Sequence, residues 1–123
     1  MTRINVGIMP SELHNRHLLA EHREIKRIPN AILKGKFCLK NAPDQFKLGT
    51  GHVKFFYDKL LYLHLRYFDL YAECIKRGFK VTSYHASFLN LPPQLYNNYK
   101  PTKMDREMIL ERIAERIEQS KVM

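Results

Sequence analysis

The sequence has 123 residues, the length of one domain, and 45% of them are hydrophobic, which is enough to build a buried core. The formal net charge is +9, from 21 lysines and arginines against 12 acidic residues, and it indicates a polyanionic partner such as nucleic acid. Two cysteines, Cys38 and Cys74, exclude a disulfide framework and a cysteine-based zinc site.

The first ten residues combine a possible nucleophile with an extended segment. Thr2 follows Met1 and is small enough that an initiator methionine is usually removed before it. The resulting threonine amine has an ordinary pKa of about 7.7–8.0, so much of it is neutral and nucleophilic near physiological pH. Residues 3–10 are predicted to be a short extended arm. Its alternating Ile4, Val6 and Ile8 predict that the arm is pinned against the core.

A first helix is predicted over residues 11–28. Ser11 follows a proline and is expected to be the N-cap. If the helix continues to residue 34, Pro29 predicts a kink. Leu18 and Ile25 fall on one side of a helical wheel and are expected to face the core.

The opposite side of this helix carries a stripe of arginines. Arg16, Arg23 and Arg27 lie within about 40° of each other on the wheel. Ala20 lies inside the stripe and leaves room for a ligand to approach the backbone, while Glu24 is a lone acid at its edge. The pattern indicates chemistry on a polyanion, and the alternative is a solvated face held by ion pairs.

Three further residues of the helix lie on one face, and their spacing would allow their side chains to bind a metal ion. His14, His17 and Glu21 stand at i, i+3 and i+7, which could in principle form a metal face. No fourth ligand is evident from the sequence. We therefore favour partly buried polar residues over a metal site.

The longest apolar segment, residues 52–78, is predicted to be a second helix. It is apolar nearly all round, so we expect a buried pillar that contains Cys74. Gly78 is expected to end it as the C′ residue. Residues 36–50 before it resemble a loop, and residues 79–101 after it form a long, aromatic connection that is expected to pack down.

A third helix is predicted over residues 103–119. Thr102 and Asp105 resemble a capping box at its start. Arg112 and Arg116 share a face through their i, i+4 spacing. The residues expected to be buried are Ile109, Leu110, Ile113, Ala114 and Ile117. The sequence therefore predicts an all-α fold of three helices in a single domain, residues 1–123.

Several blocks of the sequence resemble the phage-type pyrimidine-dimer DNA glycosylases, also called the phage endonuclease V family. The resemblance covers nearly the whole chain and is weakest in the middle loops. The blocks that carry it are Met1-Thr2-Arg3-Ile4-Asn5, Ser11-Glu12-Leu13, His17-Leu18, Ala20-Glu21-His22-Arg23-Glu24, Gly51-His52-Val53-Lys54-Phe55-Phe56-Tyr57-Asp58-Lys59-Leu60 and Ala72-Glu73-Cys74-Ile75-Lys76-Arg77-Gly78-Phe79.

The resemblance implies a glycosylase and abasic-site lyase that acts on cyclobutane pyrimidine dimers without a cofactor or metal. Thr2 matches the family's amine nucleophile, which attacks C1′ and forms an imine, and Glu24 matches its catalytic glutamate. The arginines expected to bind DNA are Arg3, Arg16, Arg23, Arg27, Arg112 and Arg116. The implied partner is double-stranded DNA with a damaged site. The resemblance also favours a monomer in the cytoplasm of a bacterial or phage-infected cell, near the nucleoid, with no membrane association.

Two departures from the family bear on the substrate. Arg16 replaces a family glutamine that contacts DNA, and no tryptophan matches the family's aromatic tail. Two alternatives therefore stay open: the same chemistry on another damaged or modified base, and a non-catalytic basic DNA-binding protein of the same fold. Thr2 together with Glu24 favours an enzyme, because a binding protein needs no amine beside a carboxylate.

Overall fold

The computed structural model describes residues 2–122, with the side chains of residues 2–119. Its regular structure there is entirely helical, which confirms the all-α prediction. The α-helices are α1 (Asn15–Glu24), α2 (Arg27–Leu33), α3 (His52–Phe56), α4 (Leu60–Lys76) and α5 (Lys103–Val122). Short 3-10 helices occupy Pro10–Glu12, His85–Phe88 and Pro93–Leu95. No helix in the described part of the chain is long and apolar enough to cross a membrane.

The first predicted helix begins later than expected. Ser11 lies in the 3-10 helix Pro10–Glu12, and α1 starts at Asn15, so the assignment of Ser11 as N-cap is wrong. The Met9 amide donates to Glu12 Oε2 over 2.9 Å and closes this early turn. Leu13 then adopts an extended backbone and is 4% exposed. Burying Leu13 in that conformation separates the short turn from α1.

The first predicted helix is divided about one turn before Pro29, the residue at which a kink was expected. The helix is interrupted at Ile25 and Lys26, and α2 follows from Arg27. Proline has no amide hydrogen, so Pro29 cannot donate to the Ile25 carbonyl four residues before it. The regular helical hydrogen bonds resume with Asn30, whose amide donates to the Lys26 carbonyl over 3.0 Å.

The second predicted helix is two helices, α3 and α4, because the chain turns at residues 57–59. The Asn97 side chain donates to the Asp58 carbonyl over 2.9 Å, and the Tyr62 amide in the first turn of α4 donates to the Asn97 carbonyl over 3.3 Å. Asn97, in the connection after α4, therefore supplies hydrogen-bond partners for backbone groups at this turn. In a continuous helix these backbone groups would bond to one another.

Helix α4 is the central helix, as predicted, and it packs against α1. Leu60, Leu63, Leu70 and Cys74 are fully buried. The expectation that its whole circumference is buried is wrong, because three large apolar side chains, Leu65, Phe68 and Ile75, are 45–51% exposed. The predicted end at Gly78 is confirmed: its φ is +84°, and the Phe79 amide returns to the Cys74 carbonyl over 3.0 Å.

Helix α5 starts with the predicted capping box. The Asp105 amide donates to Thr102 Oγ1 over 3.1 Å, and the Thr102 amide donates to Asp105 Oδ2 over 3.0 Å. The apolar stripe of α5 is narrower than predicted. Ile109 is buried and Ile113 packs against the core, but Leu110 is 42% exposed and Ala114 is also exposed. These two residues were wrongly expected in the core.

The N-terminal arm runs across the core before α1. Its Ile4, Val6 and Ile8 are at most 1% exposed, which confirms the prediction from their alternation. The arm turns at Gly7, whose φ is +79°. A Cβ atom at this position would lie 3.2 Å from Arg106 Cβ, so glycine also permits the close crossing of the arm over α5.

Candidate active site

A cleft opens where the N-terminal arm passes between α1 and α5. Its lining is rich in charge and carries three arginines and two glutamates. The lining residues are Arg3, Asn5, His17, Ala20, Glu21, Glu24, Arg112, Ile113 and Arg116. We refer to it as the arm cleft.

Glu24 links α1 to the start of the arm. The Arg3 amide donates to Glu24 Oε1 over 3.0 Å, and Glu24 is 8% exposed. Three covalent bonds separate the Arg3 nitrogen from the Thr2 nitrogen, so the Thr2 nitrogen lies at most about 7 Å from Glu24 Oε1. Arg23 Nη2 is 3.8 Å from Glu24 Oε2 and is largely exposed. Glu24 is therefore a sheltered carboxylate beside residue 2.

Glu21 forms the floor of the arm cleft and is 1% exposed. Arg66 of α4 donates to it twice, over 2.7 Å through Nε and 3.0 Å through Nη2. The Asn5 side-chain amide donates to Glu21 Oε1 over 2.7 Å. Asn5 Oδ1 in turn accepts a hydrogen bond from Arg112 Nη2 over 3.0 Å. This network connects the arm, α1, α4 and α5 beneath the cleft.

A second anchor holds the arm one residue further along. The Ile4 amide donates to His52 Nε2 over 3.0 Å. The other ring nitrogen of His52, Nδ1, lies 2.9 Å from the Lys47 carbonyl. Burial lowers the pKa of His52, and the nearby charge of Arg112 lowers it further. The Lys47 carbonyl and Glu21 oppose that shift.

The electrostatics of the arm cleft favour an anion. Burial lowers the pKa of Arg112 to about 10, and the charge of Arg3 adds to this effect, but the guanidinium remains protonated at neutral pH. Burial also lowers the pKa of His17, followed by the charges of Arg16, His14, Arg112 and Arg116. His17 is thus a neutral imidazole among arginines near pH 7.

Unpartnered buried nitrogen atoms are concentrated in the arm cleft. Among the described side chains, three buried nitrogens lack a hydrogen-bond partner: Arg3 Nε, His17 Nδ1 and His22 Nε2. The first two belong to residues that line the cleft. Buried polar atoms are normally hydrogen-bonded, so these two nitrogens are available to water or to a polar ligand.

The structure brings five of the eight predicted site residues together at the arm cleft. Arg3, Glu24, Arg112 and Arg116 line the arm cleft, and Thr2 adjoins it through Arg3. The remaining predicted residues, Arg16, Arg23 and Arg27, are exposed on α1 and α2 and do not line it.

The sequence did not identify three residues that build the site: Asn5, His52 and Arg66. Each acts through a partner at least 16 residues away in the chain, so no local pattern marks it. The metal face proposed as an alternative does not form, because Glu21 is bound to Arg66 and Asn5. Within the described residues, no cluster of three or more His, Cys, Asp or Glu could hold a metal ion.

A sheltered carboxylate beside the chain start, surrounded by arginines, suits covalent chemistry on a polyanion such as DNA. The sequence model of a family described as pyrimidine dimer DNA glycosylase matches residues 1–87. The chain belongs to this family. As a pyrimidine dimer DNA glycosylase it is a DNA repair enzyme, and its substrate is DNA. The matched range contains the arm and α1 to α4, whereas Arg112 and Arg116 of α5 lie beyond it.

Proposed function

We propose that the protein removes a base from cyclobutane pyrimidine dimers and then cleaves the strand, with the amine of Thr2 as nucleophile. The observation that supports this most directly is the 3.0 Å hydrogen bond between the Arg3 amide and Glu24 Oε1. It fixes the residue next to Thr2 against a carboxylate. Once Met1 is removed, this arrangement pairs an amine with a proton acceptor.

In the first chemical stage the neutral Thr2 amine attacks C1′ of the damaged nucleotide. The C1′–N glycosidic bond breaks, and the base leaves with the bonding electrons and takes up a proton. Glu24 accepts a proton from the attached amine and passes it to O4′ as the C1′–O4′ bond breaks and the sugar ring opens. The product is an imine between the Thr2 nitrogen and C1′.

In the second stage the imine makes the proton on C2′ acidic. A base, for which Glu24 is our candidate, removes this proton, and the C3′–O bond breaks with departure of the 3′ phosphate. This β-elimination nicks the strand. Water then hydrolyses the imine, which returns the free amine and releases the product.

The arginines are proposed to bind the phosphates. Arg3, Arg112 and Arg116 line the arm cleft and are placed to hold the phosphates next to the reacting sugar. Arg16, Arg23 and Arg27 lie outside it and are placed to hold flanking phosphates. A damaged base pair is already weakened, so moving a base out of the stack costs less there than in intact DNA.

Borohydride trapping tests this proposal. The protein, with its N-terminus defined by intact mass, is mixed with a duplex containing one thymine dimer or one abasic site, and borohydride reduces any imine to a stable adduct. We expect an adduct with both duplexes from protein that begins at Thr2. The matched control is the same protein with Met1 retained, which should form none.

The other outcomes separate the alternatives. An adduct on the abasic duplex alone would keep the lyase and indicate a different damaged or modified base. Failure to trap either duplex, by protein that begins at Thr2 and binds DNA, would contradict the amine mechanism and favour a non-catalytic DNA-binding protein.

A further inference from the structure

His52 is a buried histidine whose two ring nitrogens both have backbone partners. It is 3% exposed, and it lies between the loop before α3 and the N-terminal arm. A carbonyl oxygen can only accept, so Nδ1 carries the hydrogen that is donated to the Lys47 carbonyl. Nε2 therefore has the lone pair that accepts the Ile4 amide hydrogen. Only the neutral ring satisfies both partners.

The surroundings of His52 favour this neutral form. The rings of Phe46 and Phe56 contact it edge-on, with centroids 5.5 Å and 5.3 Å away. The charged groups that act on it are Arg112 from α5 and Glu21 from α1, and Glu21 is held by Arg66. Burial is the largest influence and lowers the pKa of the imidazole.

The hydrogen bond between the Ile4 amide and His52 is next along the chain to the hydrogen bond between the Arg3 amide and Glu24. The Arg3 amide donates to Glu24, and the next amide, that of Ile4, donates to His52. Two consecutive amides are thus held by acceptors on separate helices, α1 and α3. A single hydrogen bond would fix one point of the backbone and allow rotation about it. Two hydrogen bonds at consecutive amides also fix the direction of the backbone there. The position of Thr2 therefore depends on both acceptors.

We propose that His52 is a positioning residue for the Thr2 amine, and that its neutral imidazole holds the arm so that the amine stays beside Glu24. This inference rests on the proposed function. When the ring is protonated, Nε2 carries a hydrogen and faces the Ile4 amide hydrogen, so this bond is lost and the backbone at Ile4 shifts. A misplacement of about 1 Å in a reacting group can reduce a rate about 100-fold.

Two substitutions separate positioning from packing. In His52→Gln, the side-chain oxygen can accept the Ile4 amide hydrogen at any pH, and the group does not titrate. In His52→Leu, the apolar contacts remain but no acceptor is left. The readouts are the single-turnover rate of imine trapping by cyanoborohydride, which persists in mild acid, on an abasic duplex as a function of pH, and hydrogen exchange of the Ile4 amide.

We expect the wild-type rate to fall by one power of ten per pH unit below the amine's pKa, because one proton blocks the amine. At lower pH, below the pKa of His52, the slope should steepen towards two, because a second proton breaks the bond to the Ile4 amide. Over the pH range in which the wild-type slope first steepens, His52→Gln should keep a slope of one. His52→Leu should trap about 100-fold more slowly at neutral pH and lose protection of the Ile4 amide.

The result that would contradict the role of His52 differs from the result that would contradict the proposed function. Equal rates and equal pH slopes in wild type and His52→Gln would overturn the role of His52 while leaving the amine mechanism intact. Wild-type protein that begins at Thr2 and traps no duplex would overturn the proposed function and this inference with it. If His52→Leu does not fold, the comparison of slopes with His52→Gln decides the matter alone.

Discussion

The floor and the mouth of the arm cleft each contain one carboxylate of α1, but the two are held very differently. Glu21 on the floor accepts three hydrogen bonds, two from Arg66 and one from Asn5. Glu24 at the mouth accepts one from the Arg3 amide, and Arg23 approaches it only to 3.8 Å. The two residues are less than one helical turn apart.

This difference separates a structural carboxylate from the one that we propose to be reactive. An ionised carboxylate can accept about four hydrogen bonds. Glu21 uses most of that capacity on the protein itself, so it fixes the arm and α4 rather than reacting. Glu24 keeps capacity for a substrate proton. The predictions below test this division, from the largest expected effect to the smallest.

Replacing Glu24 by glutamine should abolish turnover and leave DNA binding nearly unchanged. The amide oxygen still accepts from the Arg3 amide, so the arm stays in place, but the proton acceptor is gone. Loss of such a group typically reduces a rate by about 10²–10⁴-fold. Single-turnover cleavage of a dimer-containing duplex measures the rate, and a binding titration measures affinity. Equal loss of both would remove Glu24 from the chemistry.

Replacing Glu21 by glutamine should instead destabilise the protein. Arg66, which is 7% exposed, would then be a buried charge without its counter-ion, which costs about 3–5 kcal/mol. Urea unfolding followed by circular dichroism measures the loss. Glu111→Gln on the exposed face of α5 is the matched control and should change stability by less than about 0.5 kcal/mol. Similar values for the two variants would show that the floor network is not stabilising.

Replacing Arg23 or Arg27 by alanine should weaken DNA binding without changing the stability of the fold. Each is exposed, and loss of one phosphate contact reduces the slope of log affinity against log salt concentration by about one. Binding to an undamaged duplex over a range of salt concentrations measures this slope. Lys80→Ala, an exposed lysine outside the stripe, is the control for the change in net charge. A slope that the arginine variants leave unchanged would place them away from the phosphates.

Stability should fall as the pH drops below about 6.5, the ordinary pKa of histidine. Burial, with a smaller contribution from Lys26, lowers the pKa of His22, so the unfolded state binds more protons in this range. His22 is packed near Tyr67 and Tyr84, with ring centroids 5.7 Å and 5.1 Å away. His22→Phe should flatten the pH dependence by at most about 1.4 kcal/mol per pH unit. Urea unfolding from pH 7.5 downward measures it, and an unchanged dependence would exclude His22 as its source.

Features encoded by neighbouring residues were predictable from the sequence. The capping box of Thr102 and Asp105, the helix end at Gly78 and the buried side of the arm each depend on residues a few positions apart. Glu24 was found in the same way, because its place on the wheel is a local property. These signals predicted the helical class and placed Glu24 beside the arginine stripe of the first helix.

Features created by distant partners were not predictable. The turn that divides α3 from α4 is held by Asn97, 39 residues after Asp58. Leu110 was expected in the core because it follows Ile109 on an apolar stripe, yet the helices that pack on α5 cover only part of that stripe. The acceptor for the Ile4 amide is 48 residues away. Periodicity carries no information on such contacts.

The contacts of the N-terminal arm also determine when it can fold. Asn5 is bound by Arg112, 107 residues later, and Gly7 by Arg106, 99 residues later. During synthesis the arm leaves the ribosome well before these partners on α5 are made. The arm therefore cannot complete its contacts until α5 has been made. An N-terminal methionine can be removed from it in that interval, before docking places Thr2 beside Glu24.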